Sequence, residues 1–324
     1  MGMYDEALSS YFAALELAPN DATRYYDIGD TYLALGDTDN AISFLWKATE
    51  LDPGNTVALY DLGLAFFNAG RYWDCEAASR AAIQADPDMI NGRTNLGLSA
   101  TTNQGLAYLN LGKLTDAEHC FRQNLRLTAS SYFNLGLALH RQERYDEALV
   151  NFLHAVELVP DDAEYWDLIG NAWLELDDLK KAQEALERSV AIDPDYAPAN
   201  YDLGVVFSRA KVKENDAMNL FRKAVALDEL FPLPYYAMAC LQALEGKKKP
   251  ALENLRNAVD RGFTDRKHAD GDHDLDTLRD DPEFQKIMKR MAPKRARGDR
   301  FCADIEIREP AAVPEKKPQK KSRK

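Results

Sequence analysis

The chain has 324 residues, 46% hydrophobic and 29% charged, so it can bury a sizeable core. Its 17 glycines, 14 prolines and 10% aromatics exclude a collagenous, low-complexity or globally disordered polymer. Forty Lys and Arg stand against 53 Asp and Glu, a net charge of −13 that is unevenly spread: Lys289 to Lys324 carries +8, leaving −21 on residues 1–288. Such a body repels nucleic acid, whereas its basic tail could touch phosphate or an acidic surface.

No apolar run approaches the ~18 residues of a membrane span, and Met1 to Glu6 lacks the basic start of a secretory signal. Cys75, Cys120, Cys240 and Cys302 lie far apart with no CxxC pair, which leaves zinc-finger and thioredoxin-like readings without support. A soluble, cytoplasmic chain with reduced thiols and no membrane partner is expected.

In chain order, the first predicted element is a helix over 3–18, with Tyr4, Ala7, Leu8, Tyr11 and Leu15 on one apolar stripe. A period of 34 residues then sets in. Pro19, Pro53 and Pro87 keep it, as do Gly29, Gly63 and Gly97, and later Gly136, Gly170 and Gly204. Within 129–162, Tyr132, Leu135, Gly136 and Leu139 share one helical face, and Tyr145, Ala148, Phe152 and Ala155 share the face of a second helix. Gly136 and Ala148 are small where the two helices approach, and Pro160 with Asp161 and Asp162 ends one unit and caps the next.

The third unit departs from the period. Gly97 and Gly105 both fit the glycine register, which predicts a lengthened helix over roughly 90–110. The next junction is short, and a local shift is expected there. Near the end, Asp281-Pro282 starts a helix that should stop near Pro293, with Leu275, Leu278, Phe284 and Ile287 available to cover an apolar end. Residues 293–324 are Pro-rich and basic without a periodic face, so disorder is the default.

The chain resembles the tetratricopeptide repeat (TPR) family. Its pattern of W-x2-L-G-x2-Y, A-x3-F and P is met by Tyr25, Ile28, Gly29, Tyr32, Ala41, Leu45, Ala48 and Pro53, and again by Trp166, Ile169, Gly170, Trp173, Ala182, Leu186 and Pro194. The resemblance implies an all-α, right-handed superhelical solenoid of antiparallel helix pairs with a C-terminal capping helix. Its parts would be a lone second helix of an incomplete repeat (1–21), seven helix pairs (22–265), a capping segment and helix (266–292) and a basic disordered tail (293–324). The last repeat and its extension, including Arg261-Gly262-Phe263 and Leu275 to Phe284, also resemble the module that closes such arrays in prokaryotic proteins.

An enzyme needs a constellation, and the sequence offers no GxSxG, phosphate-binding glycine loop or HExxH. The run His268 to Asp276 has metal-like donors, but Leu275 and Asp281 stand where a calcium loop wants Gly and Glu, and a solvated connector explains its polarity. Catalytic, cofactor and metal residues are therefore expected to be none.

The family resemblance implies ligand contacts on the inward positions of each first helix. The candidate groove is Tyr26, Asp27, Asp30, Tyr60, Asp61, Asn103, Phe133, Asn134, Asp167, Asn171, Tyr201, Asp202 and Tyr236. The inward positions hold six carboxylates, Glu164 being the sixth, and no Lys or Arg. The TPR proteins that clamp an anionic C-terminus use Lys, Asn and Arg there, so that ligand is disfavoured. The expected function is a non-enzymatic scaffold for a basic or mixed peptide or protein segment. Two alternatives are a regulatory TPR module of a larger enzyme or assembly and a nucleic-acid-associated factor acting through the tail. Self-association through helix 3–18 is a further expectation, as is occupation of the groove by the chain's own tail.

Overall fold

The computed structural model describes residues 2–87, 95–123, 128–211 and 214–291. Among them every regular element is helical, no strand occurs, and no helix is long and apolar enough to cross a membrane. The helices gather into two units, with described parts 2–123 and 128–291.

One helix pair shows how the sequence builds the rest. Helix α2 (Ala22–Ala34) starts where the Asp21 carboxylate accepts the backbone N–H of Thr23 and Arg24, groups that a helix start leaves without carbonyl partners. Gly36 (φ +75°) then turns the chain, and Asp37 caps helix α3 (Thr38–Leu51) through the Asn40 N–H. That left-handed turn conformation disfavours residues with a Cβ. Even so, Glu143, Asp177 and Lys211 adopt it at the equivalent turns, with φ of 61°, 59° and 53°.

The first unit continues with α1 (Gly2–Leu17) packed on α2, then α4 (Thr56–Asn68), α5 (Tyr72–Ala85), α6 (Asn95–Asn110) and α7 (Leu114–Gln123). The apolar stripe on α1 is in part covered. Leu8 and Leu15 are buried with Ile28 and Phe44, while Tyr4 stays exposed. The next layer joins Ala41, Leu45, Leu62, Phe66, Cys75 and Ala107.

Helix α6 has 16 residues against 13 in α2 and α4. Gly105 falls in its interior, as the lengthened helix requires, whereas Gly97 falls in its first turn. A Cβ at Gly105 would lie 2.6 Å from Cε1 of Phe121 on α7, so glycine is what lets these helices meet. Residues 90–94 of the predicted helix lie outside the described residues.

The second unit stacks α8 (Ala129–Arg141) on α9 (Tyr145–Leu158), α10 (Ala163–Glu175) on α11 (Leu179–Ile192), α12 (Ala197–Arg209) on α13 (Glu214–Leu227), and α14 (Pro232–Leu244) on α15 (Lys248–Asp260). Then come α16 (Arg266–Gly271), a 3-10 turn (His273–Leu278) and α17 (Pro282–Arg290), which begins with proline in its first turn and an Asp281 cap. Leu275, Leu278, Phe284, Ile287 and Met291 are fully or nearly fully buried in one core with Leu241 and Leu255. The polar run His268 to Asp276, expected to be a solvated connector, is thus anchored by Leu275. The tail, 293–324, lies outside the described residues.

Candidate functional site

Side chains on the first helix of one pair reach the first helix of the next in both units. In the first unit the Tyr26 hydroxyl on α2 donates to Asp61 Oδ2 on α4 at 3.1 Å. Asp61 is buried, and burial pushes its carboxyl up to about 6, with the Tyr26 hydrogen bond opposing and the Asp30 charge adding. The same contact raises the Tyr26 phenol, chiefly through burial. Asp27 is held by Arg24 at 2.7 Å, Asp30 is exposed and Tyr60 is half-buried. Asn103 on α6 is buried, its carbonyl accepts from Cys75 Sγ at 3.7 Å, and its amide nitrogen has no partner.

The second unit repeats the arrangement with different side chains. Asn171 Nδ2 on α10 donates to Asp202 Oδ2 on α12 at 3.2 Å. Burial pushes the Asp202 carboxyl up to about 7; Asn171 and Arg209 oppose this and the Glu175 charge adds to it. Asp167, on α10, is only 4% exposed, and its Oδ1 has no hydrogen-bond partner. Burial raises its carboxyl well above the ordinary value, and the charges of Asp202 and Glu164 raise it further. Phe133 lies 4.8 Å from the Tyr165 ring, Asn134 is half-buried, and Tyr201 sits between Phe221 and Phe231.

At the far end of this unit Tyr236 stacks on Phe263 at 4.4 Å, and its hydroxyl donates to Asp272 Oδ2 at 2.6 Å. An open cleft of about 840 Å³ lies here, between Tyr201, Arg209, Tyr236, Cys240, His268 and Asp272. Cys240, Asp272 and Asp274 bring three donor atoms within 4.8 Å of one another. Burial, and then the charge of Asp272, push the Cys240 thiol far up.

Of the residues singled out from sequence, Asp61, Asn103, Asp167, Asp202 and Tyr236 are buried rather than displayed. The inward face is acidic by position, but several of its acids fasten neighbouring helices together. Sequence reasoning missed Asp272, the partner of Tyr236, although its place at the start of the 3-10 turn marks it as a cap. It also missed Glu76 on α5, a buried carboxylate that accepts from Tyr108 Oη at 2.9 Å and Gln104 Nε2 at 3.3 Å.

Two family models, both described as tetratricopeptide repeat, match residues 22–55 and 127–195. Human protein O-mannosyl-transferase TMTC2 is 28% identical over 102 residues, which are 31% of this chain and 12% of that protein. Tetratricopeptide repeat protein 8 of Caenorhabditis elegans is 29% identical over 115 residues, 34% of this chain and 22% of its own length. The chain thus spans less than a quarter of either relative. Among solved structures, the C-terminal part of a TPR repeat-containing protein from Cytophaga hutchinsonii superposes with a TM-score of 0.52 at 19% identity, over 70% of this chain and 91% of that one. The chain carries tetratricopeptide repeats, stacked as consecutive helix pairs.

Proposed function

We propose that this tetratricopeptide-repeat chain is a non-enzymatic scaffold whose first helices hold a basic or mixed segment of a partner protein. TPR proteins mediate protein–protein interaction, and here the chemistry of the inward face narrows the partner. The observation that carries the reading is the cluster Glu164, Asp167 and Asp202 on α10 and α12, beside Tyr196 and Tyr201, at positions where no repeat supplies Lys or Arg. Carboxylates beside aromatic rings suit Lys and Arg side chains, through charge attraction and cation–π contact. Exposed pairs contribute only ~0–1 kcal/mol each, so several act together and salt weakens them.

The nearest candidate segment is the chain's own 293–324, which covalent attachment holds at an effective concentration of the order of mM. In that arrangement the tail occupies the face until a partner displaces it. The test is fluorescence anisotropy of a labelled synthetic 293–324 peptide titrated into a chain lacking those residues, at low and physiological salt. Binding that weakens with salt, and weakens again in Asp27→Asn with Asp61→Asn and in Asp202→Asn, supports the reading. No binding in either salt rejects it.

A further inference from the structure

Asp167 breaks the rule of its own position. The fifth inward place holds Tyr26, Tyr60, Thr102, Phe133, Tyr201 and Tyr236 in the other repeats, and only here a carboxylate. Every other buried acid among the described residues has a partner. Asp61 accepts from Tyr26, Glu76 from Tyr108 and Gln104, and Asp202 from Asn171. Asp167 Oδ1 accepts nothing. Its charged neighbours are Asp202 and Glu164, both negative. Arg209, whose charge acts on Asp202, donates through Nη1 to the Leu174 carbonyl at 3.1 Å. A buried, unpaired acid facing two more acids costs stability that nothing in the packing returns. Departures of this kind belong to function more often than to folding.

We infer that Asp167 and Asp202 together form the subsite for one side-chain cation, a Lys ammonium or Arg guanidinium, of the bound segment. The inference rests on the basic-segment reading above and names where its anchoring charge goes. A metal ion fits less well: among the described residues, no third acidic, thiol or imidazole donor joins this pair within ligating reach. A guanidinium carries five N–H donors in a plane and can serve two carboxylates on adjacent helices at once.

The free pair cannot hold two full charges at neutral pH, because burial and mutual repulsion keep a proton on it. An arriving cation replaces that proton, which leaves to solvent, so affinity rises with pH through neutrality. The groups facing the pair are Glu164, Asn171 and Glu175 on α10, Tyr196 just before α12, and Tyr201 and Arg209 on it. His140 on α8 lies by Asn171 and Glu175, and burial holds its imidazole below the ordinary value, so it is neutral in this window.

The test uses the full chain and two probes, octa-arginine amide and octa-citrulline amide, followed by titration calorimetry at pH 7 in buffers of different ionisation enthalpy. The expected result is binding of the arginine probe alone, with release of about one proton. Affinity falls about tenfold or more in Asp167→Asn and in Asp202→Asn. It stays within about twofold in Glu184→Gln, a control that removes an exposed charge on α11. Asp167→Asn should also melt no lower than the parent, which separates a ligand-binding acid from a structural one. Unchanged affinity and proton release in Asp167→Asn, or a lowered melting temperature in that variant, overturns the subsite while leaving the basic-segment reading in place. Failure of both the full chain and the chain lacking 293–324 to bind octa-arginine overturns both.

Discussion

Asn171 on α10 reaches across to Asp202 on α12, its amide nitrogen 3.2 Å from the carboxylate, and ties the first helices of successive pairs together. Tyr26 does the same for Asp61 in the first unit at 3.1 Å. Removing the donor leaves a buried carboxylate without its partner, a loss of ~1–3 kcal/mol. Asn171→Ala and Tyr26→Phe should each lower stability by that order in urea unfolding. The paired changes Asn171→Ala with Asp202→Ala and Tyr26→Phe with Asp61→Ala should cost less than the sums of their singles.

The buried carboxyls also set how stability varies with pH. Asp61 and Asp202 have folded values of about 6 and about 7, above the ordinary 3.8. Between the unfolded and folded values the folded state binds more protons, so stability falls as pH rises through that window. The loss is complete only once pH has passed the higher of the two folded values. Melting temperature should therefore decline from pH 5 to pH 8, and Asp202→Asn should flatten the decline.

Much of this was legible in the sequence, and the reason is geometric. Gly105 against Phe121 and Gly136 against Phe152 are requirements within one helix pair, so their spacing repeats along the chain. The same register put Tyr26, Asp61, Asp167 and Asp202 on the inward face. What it did not reveal is the burial of Asp61, Asp202 and Tyr236, because their partners lie 31 to 36 residues away along the chain. Leu8 and Leu15 are covered for a similar reason: α1 meets α2 and α3. Glu143, Asp177 and Lys211 were invisible as turn residues because their places carry no glycine.

Those turns give a stability prediction of opposite sign. Glu143 and Asp177 hold a left-handed conformation that costs a residue with a Cβ ~1–2 kcal/mol. Part of any gain from glycine is lost to the freer unfolded chain. Glu143→Gly and Asp177→Gly should each stabilise by about 0.5–1 kcal/mol, read as a higher midpoint in chemical unfolding.

Close approach predicts the reverse at Gly105. A leucine there meets the Phe121 ring and must displace it, at ~1–3 kcal/mol for overpacking. Gly105→Leu should lower the melting temperature by several degrees, and adding Phe121→Ala should return part of the loss. An unchanged melting temperature in the single variant would show that α6 and α7 do not meet at this glycine.

The central claim, that a basic segment lies along the first helices, is tested most directly by amide hydrogen exchange. The chain lacking 293–324 would be measured with and without the synthetic 293–324 peptide at saturating concentration. The account predicts slowed exchange in α10 and α12, and no change in the second helices α9, α11 and α13 of the same unit. Slowed exchange confined to those second helices, or none anywhere at saturation, would contradict it.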